Sequence, residues 1–395
     1  MFLDSLINPE KPTIALDIGS KFAKVVTLKK ISNQINVIDF NSVEFPQSIE
    51  DYISSLGSGE KQSEEGGNEE FKDQIAQLIK GLIAKTSTSG KKVVTAINSR
   101  FLVTRIINVS GAPDSTEFNM ALNKALEENF SNYQKNTIQI SHEILKVGDD
   151  EIPSTVLISA AKNEAINFYK DILGKIGLKV TILDGVPFAL YNIFEYLIDQ
   201  DDVLKNLPQE EKNFLHIDIG YSNFNIIGVK AGLPIHFRGT FNFCDRSIIE
   251  TIKKNEGLSE EEIYQNKYNK FEEVLNVKED DESGNQFKME VYNKYYKNYF
   301  AGQTADLIKD IEDAISQMDL SKDQIKKISF SGGGTFFPLL VEFVVSKFKK
   351  DNENLKVELL NPFFKMAARD AKQVQELGRK HILYCTATGL ALRTL

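Results

Sequence analysis

The chain has 395 residues, which at about 150 residues per domain predicts two or three compact units and excludes a single small binding module. Its 42% hydrophobic and 26% charged residues describe a globular chain rather than a disordered, collagenous or membrane-spanning one. Lys and Arg number 47 against 56 Asp and Glu, a net charge of -9, which argues against nucleic acid as a partner because such binding is dominated by phosphate neutralisation.

Met1 to Pro12 carries Asp4, Glu10 and two prolines and reads as no secretory signal. Phe2, Leu3, Leu6 and Ile7 fall on one face of a short helix that reads as core cover, with contact to a partner or membrane as the alternative. From Thr13, Ile14, Leu16 and Ile18 alternate, Gly19 and Ser20 break the run, and Val25, Val26 and Leu28 resume it. With Ile35, Val37, Ile38 and Phe40 as a third strand, this is a β-meander. Ser54 to Glu70, with Leu56 as its one apolar residue, reads as a surface loop.

Phe71 to Leu82 has a helical pattern, and Gly90-Lys91-Lys92 lacks the rest of a P-loop and reads as a turn before the strand Val93 to Ile97. A strand at Leu102 to Val109 leads to Asp114 and Glu117, which cap a helix bearing Phe118, Leu122, Ala125 and Leu126. Strands at Thr137 to Val147 and Thr155 to Ala160 complete a small αβ unit. Helix (Asn163 to Ile176), strand (Lys179 to Leu183) and helix (Phe188 to Ile198) follow, and polar Asp199 to Lys212 reads as a linker.

The second half restarts as the first does. Phe214 to Ile219 is a strand closing on Asp218-Ile219-Gly220-Tyr221-Ser222, then come Asn225 to Val229, a turn at Ala231-Gly232, and Ile235 to Phe241. Beyond Ser247 the pattern is helical, with a capping box at Ser259 and Glu262. Glu272 to Lys297 reads as a solvated face, with Tyr292, Tyr295, Tyr296 and Tyr299 as candidate contact residues. The last strand, Lys326 to Phe330, runs through Ser331-Gly332-Gly333-Gly334-Thr335 into a helix.

An aspartate at the carboxyl end of a buried strand, followed by a small residue, offers a hard oxygen to Mg²⁺ and lets backbone N–H groups approach phosphate. Two such turns, at Asp17 and Asp218, predict a polyphosphate clamp. Lys24, seven residues after Asp17, is a candidate phosphate ligand, and the turn at Ser331 to Thr335 predicts a nucleoside surface with a helix N-terminus. The two cysteines, Cys244 and Cys385, supply neither a disulfide framework nor a zinc site, and His142, His216, His236 and His381 are too scattered for a metal.

These residues resemble the actin-like ATPase superfamily, which includes actin, Hsp70, the sugar kinases, FtsA and PilM, and within it the PilM branch. The likeness rests on Ala15-Leu16-Asp17-Ile18-Gly19-Ser20 with Lys24, on His216-Ile217-Asp218-Ile219-Gly220, and on Ile328-Ser329-Phe330-Ser331-Gly332-Gly333-Gly334. Leu183-Asp184 to Leu190, Asn361-Pro362-Phe363 and Thr388-Gly389-Leu390-Ala391-Leu392-Arg393 support it.

The resemblance implies an α/β, two-lobed fold with duplicated ribonuclease-H-like halves and an FtsA/PilM-type inserted subdomain. Its lobe 1 core would be 1–104 and 162–205 with a C-terminal helix 380–395, and the insertion 105–161. Lobe 2 would be 206–250 and 320–379, with an outer helical subdomain at 251–319. It implies ATP at Asp17, Gly19, Ser20, Lys24, Asp218, Gly220, Ser222, Gly332, Gly333 and Gly334, with Mg²⁺ on Asp17 and Asp218 through water. It also implies a cytoplasmic adaptor of the type IV pilus assembly platform, touching the inner membrane only through partners. Those would be the cytoplasmic tail of a PilN-like bitopic protein, docked near the insertion, and other platform proteins. An FtsA-type amphipathic membrane-targeting helix is not expected after the last helix, which favours the pilus reading.

Three positions depart from the superfamily pattern. Val186 stands where hydrolysing members place an acidic or amide residue to orient water. Phe243 and Cys244 replace a Gly-Gly pair, and Tyr221 a small residue. The expectation is nucleotide binding with little turnover and no assigned catalytic residue. A kinase-like phosphotransferase and an FtsA-like polymer are the open alternatives.

Overall fold

The computed structural model describes residues 12–46, 48–49, 65–86, 92–113, 115–130, 137–149, 152–240, 243–277, 282–291, 293–294, 299 and 301–395. The predicted helix at Met1 to Asn8, the loop as far as Glu64, and Gly90, Lys91, Asp114, Phe241, Tyr292, Tyr295 and Tyr296 lie outside them. The chain divides into two units, 1–205 with 233–237 and 362–395, and 206–232 with 238–361. Among the described residues no helix is long and apolar enough to cross a membrane.

The first unit opens with β1 (Thr13–Ile18), β2 (Phe22–Ile31) and β3 (Gln34–Glu44), followed by α1 (Glu65–Ala84) and β4 (Lys92–Ile97). Residues 65–70, read from composition as loop, are the first turns of α1. β8 (Lys179–Gly185) and β14 (Ala367–Ala368) complete a sheet in the order β14-β3-β2-β1-β4-β8. β1 is buried on both faces because helices cover both sides of it. Ile14, Leu16 and Ile18 pack with Ile75 and Ile79 of α1 and with Phe168 and Ile172 of α3 (Asn163–Lys175). Ala15 faces the other way, toward Ala189 of α4 (Val186–Gln200) and Leu390 of α11 (Cys385–Leu392; α5 to α10 lie between in the chain).

The inserted sheet, in the order β5 (Leu102–Val109), β7 (Ser154–Lys162), β6 (Ile138–Lys146), is covered by α2 (Thr116–Phe130) through Phe118, Leu122 and Phe130. Ser115 caps α2, its Oγ accepting from the Phe118 N–H at 3.0 Å. The stretch expected as a linker continues α4 to Gln200 and buries Leu204.

Residues 362–379, assigned from sequence to lobe 2, belong to the first unit. The two-residue strand β14 pairs parallel with β3, and the Phe363 ring lies 5.4 Å from that of Phe40.

In the second unit β9 (Phe214–Ile219), β10 (Phe224–Lys230), β11 (Leu233–Thr240), β12 (Lys327–Ser331) and β13 (Lys356–Leu359) form a sheet in the order β11-β10-β9-β12-β13. Its first strand pairs antiparallel with the second and parallel with the fourth, as β1 does with β2 and β4. That shared order is the structural form of the repeat seen in the sequence. The helices are α5 (Asp245–Glu256), α6 (Glu260–Leu275), α7 (Glu282–Val291), α8 (Ala301–Gln317) and α9 (Leu340–Lys349), with α10 (Ala371–Glu376) in the first unit. The predicted box forms at α6, where Ser259 Oγ accepts from the Glu262 N–H and the Glu262 carboxylate accepts from the Ser259 N–H. Tyr299, a candidate contact residue, is instead buried and donates to the Glu256 carboxylate.

Candidate nucleotide site

In the first unit Asp17 is the penultimate residue of β1 and is buried. The hairpin register sets it opposite Lys24, whose Nζ lies 3.1 Å from Asp17 Oδ2. The ammonium expected to meet phosphate is thus already paired with the carboxylate. Gly19 donates its N–H to Phe22 O at 3.0 Å, closing the hairpin, and buried Ser20 accepts at its carbonyl from the Ile49 N–H.

The second unit repeats this geometry. Asp218 is penultimate in β9, Gly220 N–H donates to Asn223 O at 2.9 Å, and the register sets Asn225 opposite Asp218. Asn225 Nδ2 lies 3.4 Å from Asp218 Oδ2, so it is the counterpart of Lys24. It was missed in the sequence although it too stands seven residues after its aspartate. The α5 amides of Asp245 and Arg246 donate to the Gly220 and Tyr221 carbonyls, Tyr221 OH reaches Glu260 at 3.5 Å, and Ser222 is buried.

Asp218 has a second set of partners on β12. Ser331 Oγ donates to Asp218 Oδ1 at 2.6 Å and lies 3.0 Å from His216 Nε2, while His216 Nδ1 lies 3.0 Å from Ser329 Oγ. His216 is fully buried, and that burial, with Lys327 adding to it, pushes its pKa down to about 3, so the ring is neutral.

The glycine turn differs from expectation. Gly333–Phe336 is a single 3₁₀ turn and α9 starts only at Leu340, because Phe337, ahead of Pro338, is held extended at φ -67 and ψ 124. No α-helix N-terminus opens at this turn. Gly332 has φ +88 and a Cβ there would strike the Ile219 carbonyl, while one on Gly334 would strike the Ile219 side chain. These two glycines are required by the packing of the turn onto β9.

Val186 is the first residue of α4 and packs in the cluster with Ala15 and Val94. Phe243 is buried edge-on against Phe224, ring centres 6.3 Å apart, and Cys244 caps α5. Asp184, just before α4, keeps 11% of its side chain exposed, with Oδ2 fully inside. Its Oδ1 accepts from the Gly185 N–H at 2.8 Å, but Oδ2 has no hydrogen bond and lies 3.7 Å from Arg393 Nε. Burial pushes the Asp184 carboxyl upward, against the Gly185 bond and Arg393.

A folded-state pKa raised above the unfolded value, about 3.9, means that this group's contribution is most favourable at low pH and is lost as pH rises through the folded value. Asp184→Asn keeps the Gly185 bond and removes the buried charge. It is expected to raise the thermal midpoint at pH 7.5, with the gain vanishing near pH 4; a lower midpoint at pH 7.5 contradicts this.

Each hairpin turn holds a carboxylate with a nitrogen donor opposite it, and the second also holds a buried Asn223 Nδ2 with no acceptor. A donor left so costs about 1–3 kcal/mol. The two carboxylates, with the unanswered Asn223 amide in the second turn, are the hard-oxygen chemistry that a hydrated divalent cation takes, so the residues fit Mg²⁺ with a phosphate ligand chemically. Among the described residues no cluster of His, Cys, Asp and Glu forms a metal site of its own.

The family model for type IV pilus assembly protein PilM matches residues 15–395. The chain belongs to that family. Its structure is similar to the PilM-PilN type IV pilus biogenesis complex at 19% identity and a TM-score of 0.69, covering 98% of this chain and 99% of that one. Ethanolamine utilization protein EutJ from Carboxydothermus hydrogenoformans is matched at 11% identity and a TM-score of 0.46, with 97% and 90% covered. A Bacteroides thetaiotaomicron protein with an actin-like ATPase fold is matched at 11% and 0.44, with 93% and 96% covered. No curated protein sequence matches. The fold is the mixed α/β fold of that PilM structure.

Proposed function

We propose that this chain is a cytoplasmic adaptor of the type IV pilus inner-membrane platform, held at the membrane through its partners. It binds Mg-ATP with little turnover and docks the cytoplasmic tail of a PilN-like bitopic protein. The observation that carries the pilus reading is the PilM family match over residues 15–395. The PilN-like partner is supported by the likeness to the PilM-PilN complex.

The nucleotide part rests on Asp17, Gly19, Ser20 and Lys24, on Asp218, Gly220 and Ser222, and on Gly332, Gly333 and Gly334. Mg²⁺ would supply charge neutralisation to the phosphates, and the Asp17 and Asp218 carboxylates are the groups in their respective turns that would hold it through water. Little turnover follows from Val186, since an aliphatic side chain neither accepts a proton nor orients water by hydrogen bonding.

The test is retention of a partner tail. The immobilised chain is expected to retain the cytoplasmic tail peptide of the bitopic pilus protein from the same organism, and not a scrambled peptide of equal composition. Equal recovery of both peptides, or of neither, overturns the adaptor reading.

A further inference from the structure

His216, Ser329 and Ser331 are fully buried, yet each is polar. They stand in register on two parallel strands, Ser329 opposite His216 and Ser331 opposite Asp218, so alternate positions bring all four side chains to one face. The order of the hydrogens follows from counting. Ser331 has one hydroxyl hydrogen, and at 2.6 Å from Asp218 Oδ1 it belongs to that short, charge-assisted bond. Ser331 Oγ then has only acceptor capacity left for His216, so Nε2 at 3.0 Å must carry the imidazole hydrogen. Nδ1 lies 3.0 Å from Ser329 Oγ, which also reaches Leu215 O at 3.4 Å.

The result is a chain of donors with a single direction, His216 to Ser331 to Asp218. It ends on one oxygen of the carboxylate and leaves Oδ2 beside Asn225. An apolar pair would fill the same space without the cost of burying an imidazole and two hydroxyls.

We propose that His216 and Ser331 are positioning residues for Asp218, fixing its carboxylate in the orientation that serves the hydrated cation of Mg-ATP. This rests on the nucleotide reading above.

Two measurements on the full chain test it. Nitrogen-15 NMR of the imidazole side chains is expected to find His216 as the Nε2–H tautomer; the Nδ1–H tautomer overturns the proposal. Calorimetry is expected to show that Ser331→Ala and His216→Leu each weaken Mg-ATP about tenfold, the equivalent of one lost hydrogen bond. Affinity for ATP without Mg²⁺ should stay within about twofold. His216→Gln, whose amide keeps a donor near the Nε2 position, should recover Mg-ATP affinity to within about threefold of the parent.

A merely structural role would lower melting midpoints with no selective loss of the Mg²⁺ effect, and that outcome overturns the proposal. If His216→Leu does not fold, Ser331→Ala and His216→Gln decide. A parent that binds no Mg-ATP removes the nucleotide reading and this inference together. A parent that binds, with Ser331→Ala unchanged, removes this inference alone.

Discussion

Lys267→Met is expected to destabilise the second unit by about 3–5 kcal/mol, the usual result of leaving one member of a buried ion pair without its partner. Lys267 is 1% exposed, and its Nζ lies 2.7 Å from Asp245 Oδ1. The ammonium also lies 4.6 Å from the Phe337 ring centre and 4.9 Å from that of Tyr264. Burial pushes the Asp245 carboxyl up and the Lys267 ammonium down, each toward its neutral form, and their attraction opposes both shifts.

The lost interaction and the stranded carboxylate separate in a double-variant cycle. Asp245→Leu with Lys267→Met together should recover much of the loss, because no uncompensated charge then remains in the interior. The chain has no Trp, so unfolding is best followed by circular dichroism or by hydrogen exchange resolved to α5 and α6. A single variant as stable as the parent, or a double variant worse than either single one, contradicts this account.

Gly389→Ala is expected to cost the first unit about 3 kcal/mol or more, the upper end of overpacking. Gly389 lies in α11 where that helix crosses α4, and a Cβ there would strike the Ala189 carbonyl and come within 2.7 Å of its carbon. The same crossing is tied by Asn192 Nδ2, which donates to Gly389 O at 3.3 Å. Neither backbone yields as a flexible side chain would, so the helices must separate and release the apolar contacts of Ala387, Leu390 and Ala391. A thermal midpoint equal to the parent's contradicts it. Elsewhere in a helix Gly→Ala is stabilising, and the sign change is the signature of close crossing.

The strands that carry the site were legible because their signal is local. Ile14, Leu16 and Ile18 alternate, and the turn at Gly19 follows at once; Phe214 to Ile219 repeats both features. The hairpin register was also within reach, since Lys24 and Asn225 share one spacing from their aspartates, but only the charged residue drew notice.

Ser331 binding Asp218 was not legible, because β12 reaches β9 across 113 residues and no spacing encodes that neighbour. Lys267 had a faint local signal. It falls with Ile263, Phe271 and Val274 on the buried stripe of α6, but a lysine in a charged segment reads as solvent-facing until its partner is known. At the start of α1 the polar, glycine-bearing composition of residues 65–70 favoured a loop, and continuity with the apolar stripe of Phe71, Ile75 and Ile79 overrode it. β14 is two residues long and pairs with a strand more than 300 residues earlier, far outside any local pattern.

Titration calorimetry of Mg-ATP into the purified full chain, set beside Asp17→Ala, decides whether the proposed nucleotide binding through the Asp17 turn holds. Saturable one-to-one binding by the parent is expected, weakened at least tenfold in the variant, a change of about 1.4 kcal/mol. No binding by the parent, or equal affinity in both proteins, would contradict it.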